Sequence, residues 1–221
     1  MLELSQSEEN YIKAIYGLCE ENNDAVSTNI LAENLQTKAS SVTDMVKKLS
    51  EKKLVSYKKY KGCSLTSLGE KAALKVIRKH RLWEVFLVDK LDFGWDEVHD
   101  IAEQLEHIRS IKLTDQLDAF LDYPKYDPHG DPIPDKEGNF AKRGKSALLN
   151  ELKVDDVAKV IGVSDGSASF LQYLDQQKIQ LGTEVKLLSS FEFDGSISIL
   201  VNNRELSLSK IASVKICVEK I

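Results

Sequence analysis

TNILAENLQTKASSVTDMVKKLSEKKLVSYKKYKGCSLTSLG, from Thr28 to Gly69, contains two helical patterns and a hairpin in immediate succession. Ser27 stands before a short helix in which Ile30, Leu31 and Leu35 turn inward, and TKAS (37–40) makes a tight connection. From Ala39 to Lys52, Val42, Met45, Val46 and Leu49 recur at helical spacing and form a buried stripe. LVSYKKYKGCSLTSLG then reads as two short strands around a basic turn containing Gly62. Upstream, residues 5–21 carry Tyr11, Ile12, Ile15, Tyr16 and Leu18 in helical period, ended by a turn at ENNDAV. Three helices followed by a hairpin form a winged helix-turn-helix, whose third helix enters the major groove of double-stranded DNA while the wing rests on phosphates. On this reading Lys38, Ser40, Ser41, Thr43, Asp44, Lys47 and Lys48 face DNA, and Lys58, Lys59 and Lys61 reach the backbone. Asp44 repels phosphate, so it either accepts a hydrogen bond from a cytosine amino group or pairs with Lys47 or Lys48.

Charge patterning agrees. Between Lys38 and Lys61 eight lysines face only Asp44 and Glu51, a local excess of six positive charges in a chain whose net charge is −5. The remainder therefore carries eleven negative charges, and a basic island on an acidic body suits a protein that grips a polyanion. A lysine-rich solvated helix is the plainer alternative. With 221 residues and 42% hydrophobic content the chain can bury more than one core. It has no run of about 18 apolar residues, and its acidic, amphipathic start differs from a secretion signal, so a cytoplasmic protein without membrane contact is expected. Cys19, Cys63 and Cys217 are far apart and suggest neither disulfides nor a thiolate zinc site.

Beyond the wing, a long helix begins at Ser67 with Ala73, Val76, Ile77, Leu82, Val85 and Phe86 in period, followed by helices expected over Trp95–Ile108 and Leu113–Leu121. This block supplies apolar faces for a dimer interface and a ligand-sensing region. All four prolines fall in the loop that follows, which reads as a linker. From about Leu148 the period becomes two, in VAKVIGV, TEVKLLSSF, SISILV and SVKICVE, which fits a small β-barrel. The fold class is mainly α with a small β domain, divided into a winged helix (1–66), a helical dimerisation and metal-binding domain (67–124), a linker (125–147) and a β domain (148–221).

The histidines point to a metal. His99, Glu103, Glu106 and His107 follow i, i+4, i+7, i+8 spacing, and His80 with Glu84 forms another i, i+4 pair. Imidazoles and carboxylates without thiolate suit a divalent cation. A chain with 29% charged residues also produces Glu–His pairs by accident, as solvated helix faces.

RKHRLWEVFL (78–87), VHDIAEQLEHI (98–108) and DPHGDPIP (127–134), set after a winged helix, resemble the diphtheria-toxin-repressor family of metal-dependent transcriptional regulators. The resemblance spans essentially the whole chain. It implies a homodimer that binds palindromic operators when loaded with Mn(II) or Fe(II), other divalent ions substituting in vitro. Glu103, Glu106 and His107 match the family's primary metal site, with Glu103 where iron-type members have cysteine. Asn10 matches the first-helix ligand, which is Met or Asp in relatives. His80, Glu84 and His99 match an ancillary site of iron-type members; in manganese-type members the second metal uses the glutamate matching Glu84, a Cys-x-His pair whose place is taken here by Asp127 and His129, with oxygen for sulfur, and a third-domain acid for which Asp165 is the candidate. The resemblance also implies an SH3-like, FeoA-related C-terminal domain. His129, in a Pro-Gly loop, alternatively caps a turn. Two rival functions are a metalloenzyme, since E-x-x-E-H at 103–107 approaches the inverted zincin motif, and a winged-helix regulator answering a small organic ligand.

Overall fold

The computed structural model describes residues 3–22, 25–58, 61–142 and 144–221. Two compact units are built from interleaved segments, Met1–His80 with Glu103–Ile111 and Pro134–Asn139, and Arg81–Ala102 with Lys112–Ile133 and Phe140–Ile221.

The first unit opens with α1 (Gln6–Asn22), α2 (Thr28–Asn34), α3 (Ala39–Glu51), the antiparallel hairpin β1 (Val55–Lys58) and β2 (Gly62–Leu65), and the start of α4 (Ser67–Leu91). A capping box starts α1: the Ser5 backbone N–H donates to Glu8 Oε2 at 2.8 Å, and the Glu8 N–H donates to Ser5 Oγ at 3.3 Å. Ser27 caps α2 by accepting from the Ile30 N–H at 3.2 Å. Ile12, Ile15, Leu31, Val42, Val46, Leu49 and Leu54 are fully buried together, which locks the three helices around one apolar centre. The wing is tied to the segment before α2 by two backbone bonds between Val26 and Cys63, both 2.8 Å. Gly69 has a steric reason: a Cβ there would lie 2.0 Å from the Leu54 carbonyl oxygen, so only glycine lets α4 leave the wing this closely.

The second unit holds the rest of α4, the first turn of α5 (His99–Leu105), most of α6 (Ile111–Phe120) and a six-stranded antiparallel sheet. Its strands are β3 (Ser146–Leu148), β4 (Val157–Val163), β5 (Glu184–Ser190), β6 (Ile197–Val201), β7 (Arg204–Leu208) and β8 (Ile216–Lys220), in spatial order β3-β8-β4-β5-β6-β7. α7 (Ala168–Gln176) packs Leu171 and Leu174 into the sheet's core beside Val160, Leu187, Ile199 and Val218, and Trp95 joins the same core. A smaller cluster of Leu82, Val85, Leu117 and Ile133 joins α4, α6 and the proline-containing loop.

Several expectations change in detail. The helix expected over Trp95–Ile108 is only His99–Leu105. Trp95 is buried instead, its indole N–H donating to Asp175 at 3.0 Å, and this tertiary contact takes residues 95–98 out of the helix. Glu106 and His107 stand in the turn after α5, where the Ile108 N–H bonds the Leu105 carbonyl at 3.1 Å, rather than on a continuous helical stripe. β7 and α7 were not anticipated; β7 closes a two-residue hairpin at Asn202–Asn203, both with positive φ (48° and 62°), a turn that asparagine tolerates well. Cys63 is buried whereas Cys19 and Cys217 are partly so, and none forms a disulfide. Among the described residues, no helix is long and apolar enough to cross a membrane.

Candidate metal centres and nucleic-acid surface

Two groups of titratable side chains are candidates for the chemistry, one in each unit. In the second unit Glu84 projects from α4, while Asp127 and His129 come from the loop after α6; all three are buried. Their potential ligand atoms lie within 4.8 Å of one another. His129 Nδ1 is 3.7 Å from Glu84 Oε2 and 4.0 Å from Asp127 Oδ1. The other ring nitrogen, Nε2, lies 2.8 Å from the Trp95 carbonyl oxygen; a carbonyl only accepts, so Nε2 carries the proton and Nδ1 faces the carboxylates. The imidazole also stacks on the Trp95 ring, at 6.2 Å and an interplanar angle of 11°.

Backbone contacts hold this loop in place. Asp127 Oδ1 accepts the N–H groups of His129 (2.8 Å) and Asp131 (2.9 Å), an Asx turn that aims both side chains. The Val163 N–H of β4 donates to the His129 carbonyl at 2.9 Å. Gly130, at φ +90°, lets the loop pass β4: a Cβ there would lie 2.3 Å from the Ile161 carbonyl oxygen. Burial, together with the charges of Glu84 and Asp131, pushes the Asp127 carboxyl up, against opposing pulls from Arg81 and His129. Burial alone would lower His129, but the Glu84 carboxylate beside Nδ1 and the charge of Asp127 raise it. Burial aside, the crowding of these carboxylates raises both groups, and a bound cation relieves the same repulsion. Oxygen donors with one imidazole suit Mn(II) and Fe(II). His99 adds a second imidazole at the rim: its exposed ring places Nδ1 3.4 Å from Glu84 Oε1.

Asp165 does not join this group. Its Oδ2 pairs with the Lys215 ammonium, and its Oδ1 accepts the Ser167 N–H at 2.9 Å. The Lys215 hydrogen bond, aided by Ser167, brings its carboxyl down to about 2.

In the first unit Glu106 is buried, and its Oε2 is 2.6 Å from His80 Nδ1 and 2.6 Å from Lys13 Nζ. Lys13 Nζ is also 3.1 Å from His80 Nδ1 and 3.6 Å from Glu103 Oε1. His107 Nδ1 is 2.6 Å from Glu9 Oε2, leaving Nε2 toward Glu106 Oε1 at 4.0 Å. Burial would raise the Glu106 carboxyl, but His80 and Lys13 more than reverse this and hold it below the usual range. Asn10 is exposed; the neighbouring Glu9 is the α1 carboxylate that reaches His107. Sequence reasoning missed Glu9 and Lys13, although they lie one helical turn apart on α1.

On the DNA-reading side, Lys38, Ser40, Ser41, Asp44 and Lys47 are exposed along the start and outer face of α3, as are Lys58 and Lys61 on the wing. Thr43 turns its hydroxyl back to the Ala39 carbonyl at 2.9 Å. Asp44 pairs with Lys47 at 3.7 Å, so the ion-pair alternative holds in this conformation. Lys48, half exposed, reaches Glu8 Oε1 at 3.3 Å, beside Lys52 at 2.6 Å. Lys59 lies outside the described residues.

Three family models match consecutive parts of the chain: the iron-dependent repressor N-terminal DNA-binding domain over 3–63, the iron-dependent repressor metal-binding and dimerisation domain over 66–135, and the FeoA domain over 147–220. Among solved structures, a manganese-dependent transcriptional repressor in complex with manganese is 36% identical, covering 96% of this chain and 99% of that one, with a TM-score of 0.86. The iron-dependent repressor IdeR of Mycobacterium tuberculosis is 35% identical over 134 residues, 61% of this chain and 58% of that protein. The diphtheria toxin repressor of Corynebacterium diphtheriae is 26% identical over 220 residues, 94% of each chain.

Proposed function

Because the chain belongs to the iron-dependent repressor family, whose members are metal-dependent transcriptional repressors and not enzymes, we propose that it is a Mn(II)-responsive repressor that binds palindromic operator DNA as a homodimer in the cytoplasm. The observation that carries this reading is the buried Glu84, Asp127 and His129 group, with Nε2 tied to the Trp95 carbonyl and Nδ1 turned inward. Glu84, Asp127 and His129 would hold the ion, with His99 at the rim. When bound, a divalent cation supplies the positive charge that two adjacent buried carboxylates lack. Manganese is named ahead of iron because two of the three buried donors are carboxylates, the donor type that suits Mn(II), while Fe(II) is the alternative that the same donors accept.

The protein's own residues transmit that order. Glu84 lies on α4, the helix that begins at the wing, and His129 is bonded through its backbone to β4. Closing Glu84 on the loop therefore restrains α4 and the C-terminal sheet together. Metal acts by shifting a population toward the DNA-competent arrangement, and it does so only to the extent that it binds that arrangement more tightly. Lys38, Ser40, Ser41 and Lys47 on α3, with Lys58 and Lys61 on the wing, supply base-edge and phosphate contacts. The dimer reading is supported by exposed apolar side chains on α6, Leu113 at 40% and Phe120 at 63%.

The test is retention of genomic DNA fragments by chelator-stripped protein at fixed salt, with and without Mn(II), and with Fe(II) under anaerobic conditions. Specific fragments retained only with metal are expected. Retention indifferent to metal would overturn the switch and favour a regulator of another kind.

A further inference from the structure

We propose that Lys13 is a tethered cation that takes the place of a divalent ion in the Glu103–Glu106–His107 group, so that this group is set by the protein's own charge and metal sensing is left to Glu84, Asp127 and His129. Assigning the sensing to Glu84, Asp127 and His129 rests on the repressor reading; the place of Lys13 in the other group does not. Three observations within the first unit carry it.

First, the ammonium occupies the ligand field. Lys13 Nζ is 2.6 Å from Glu106 Oε2 and 3.6 Å from Glu103 Oε1, so it faces the carboxylate oxygens a metal would use. Bonds from divalent ions to oxygen run about 2.0–2.6 Å, so an ion on Glu106 Oε2 would sit within about 5 Å of the ammonium. Glu106 is almost wholly buried, and two cations that close in a poorly solvated place repel strongly.

Second, the histidine nearest Glu106 is already committed. His80 Nδ1, 2.6 Å from an ionised carboxylate that can only accept, is a donor and offers no lone pair there. Third, the carboxylate that the first helix brings to the group is already engaged. Glu9 is engaged by His107 Nδ1 at 2.6 Å and by Lys79 at 3.8 Å, and Asn10 is exposed and uncharged. The residues present therefore do not fit a divalent ion while Lys13 is in place. With the ammonium removed, Glu103, Glu106 Oε1 and His107 Nε2 become a conventional set of hard donors.

The experiment counts Mn(II) bound per chain by equilibrium dialysis and elemental analysis in the wild type, Lys13→Met and Lys13→Arg, and records the thermal midpoint of each in chelator. Lys13→Met is expected to bind one more ion per chain than the wild type, to lose that extra ion when combined with Glu106→Gln, and to melt lower than the wild type in chelator with recovery on adding Mn(II). Lys13→Arg, which keeps the positive charge, is expected to keep the wild-type count. An unchanged count in Lys13→Met, with cooperative melting showing that it is folded, would overturn the proposal. So would a wild-type ion that disappears in Glu106→Gln alone. Because the readout is a difference in ion count, it stands whether or not DNA retention proves metal-dependent.

Discussion

His129 donates through Nε2 to the main-chain carbonyl of Trp95, 2.8 Å away, and this one bond decides which nitrogen of the ring faces Glu84. Since a backbone carbonyl cannot be protonated or rotated away independently of the fold, the tautomer is set by the loop that buries Trp95.

Removing the ring or its carboxylate partner should therefore weaken metal binding without unfolding the chain. Glu84→Gln and His129→Ala are expected to lower Mn(II) affinity by more than the roughly 10–100-fold that loss of a ligand's supporting partner costs, measured by isothermal titration calorimetry. Asp165→Asn should leave it within about twofold, because Lys215 already neutralises that carboxylate. A larger loss in Asp165→Asn than in His129→Ala would assign the site differently.

Gly130 supports the same loop. Gly130→Ala places a Cβ against the Ile161 carbonyl in a backbone conformation with φ +90°, and should destabilise the protein by about 2–4 kcal/mol in urea unfolding. Mn(II) affinity should fall with it, since the alanine pushes the loop that presents His129 away from β4. Unaltered stability would mean that the loop and β4 do not pack as described.

Glu8 joins the cap of α1 to the end of α3 through Lys48 and Lys52. Burial would raise its carboxyl, but the Lys52 hydrogen bond, the Ser5 N–H and Lys48 together bring it from 4.5 to about 2. A carboxyl depressed on folding contributes stability that is complete above its unfolded value and is lost as pH falls through its folded value. The wild type should thus exceed Glu8→Gln by about 1–2 kcal/mol near neutrality, and the gap should close between pH 4.5 and about 2. Denaturant midpoints across that range check it; a gap constant with pH would refute the ion-pair origin.

Lys47 and Lys58 are exposed on α3 and the wing. Replacing either by alanine should weaken DNA binding across sequences and reduce the salt slope by about one phosphate contact, measured by fluorescence anisotropy at several salt concentrations with Mn(II) present. Unchanged slopes in both variants would place the DNA on another face.

The winged helix was legible because its signals are local. The apolar stripe of Val42, Val46 and Leu49, the cap at Ser27 and the turn at Gly62 each lie within a few residues of what they specify, and β4, β5, β6 and β8 were legible through alternation for the same reason. β7 had a usable signal in Asn202–Asn203, but its alternation is shortened by Arg204 and Glu205. The start of α5 had none, because the residue that stops the helix from starting at Trp95 is Asp175, eighty positions later. The composition of the metal centres divides in the same way. Residue types and helical spacing determined by themselves that His80 with Glu84, and His99 with Glu103, Glu106 and His107, are candidate donors; Asp127 and His129 entered through the family resemblance. Only the tertiary structure decided that His129 points Nδ1 inward, that Asp165 is taken by Lys215, and that Lys13 lies against Glu106. Each of those outcomes depends on a contact between chain segments that carry no mark of one another in sequence, where distance and burial, not residue identity, select the partner.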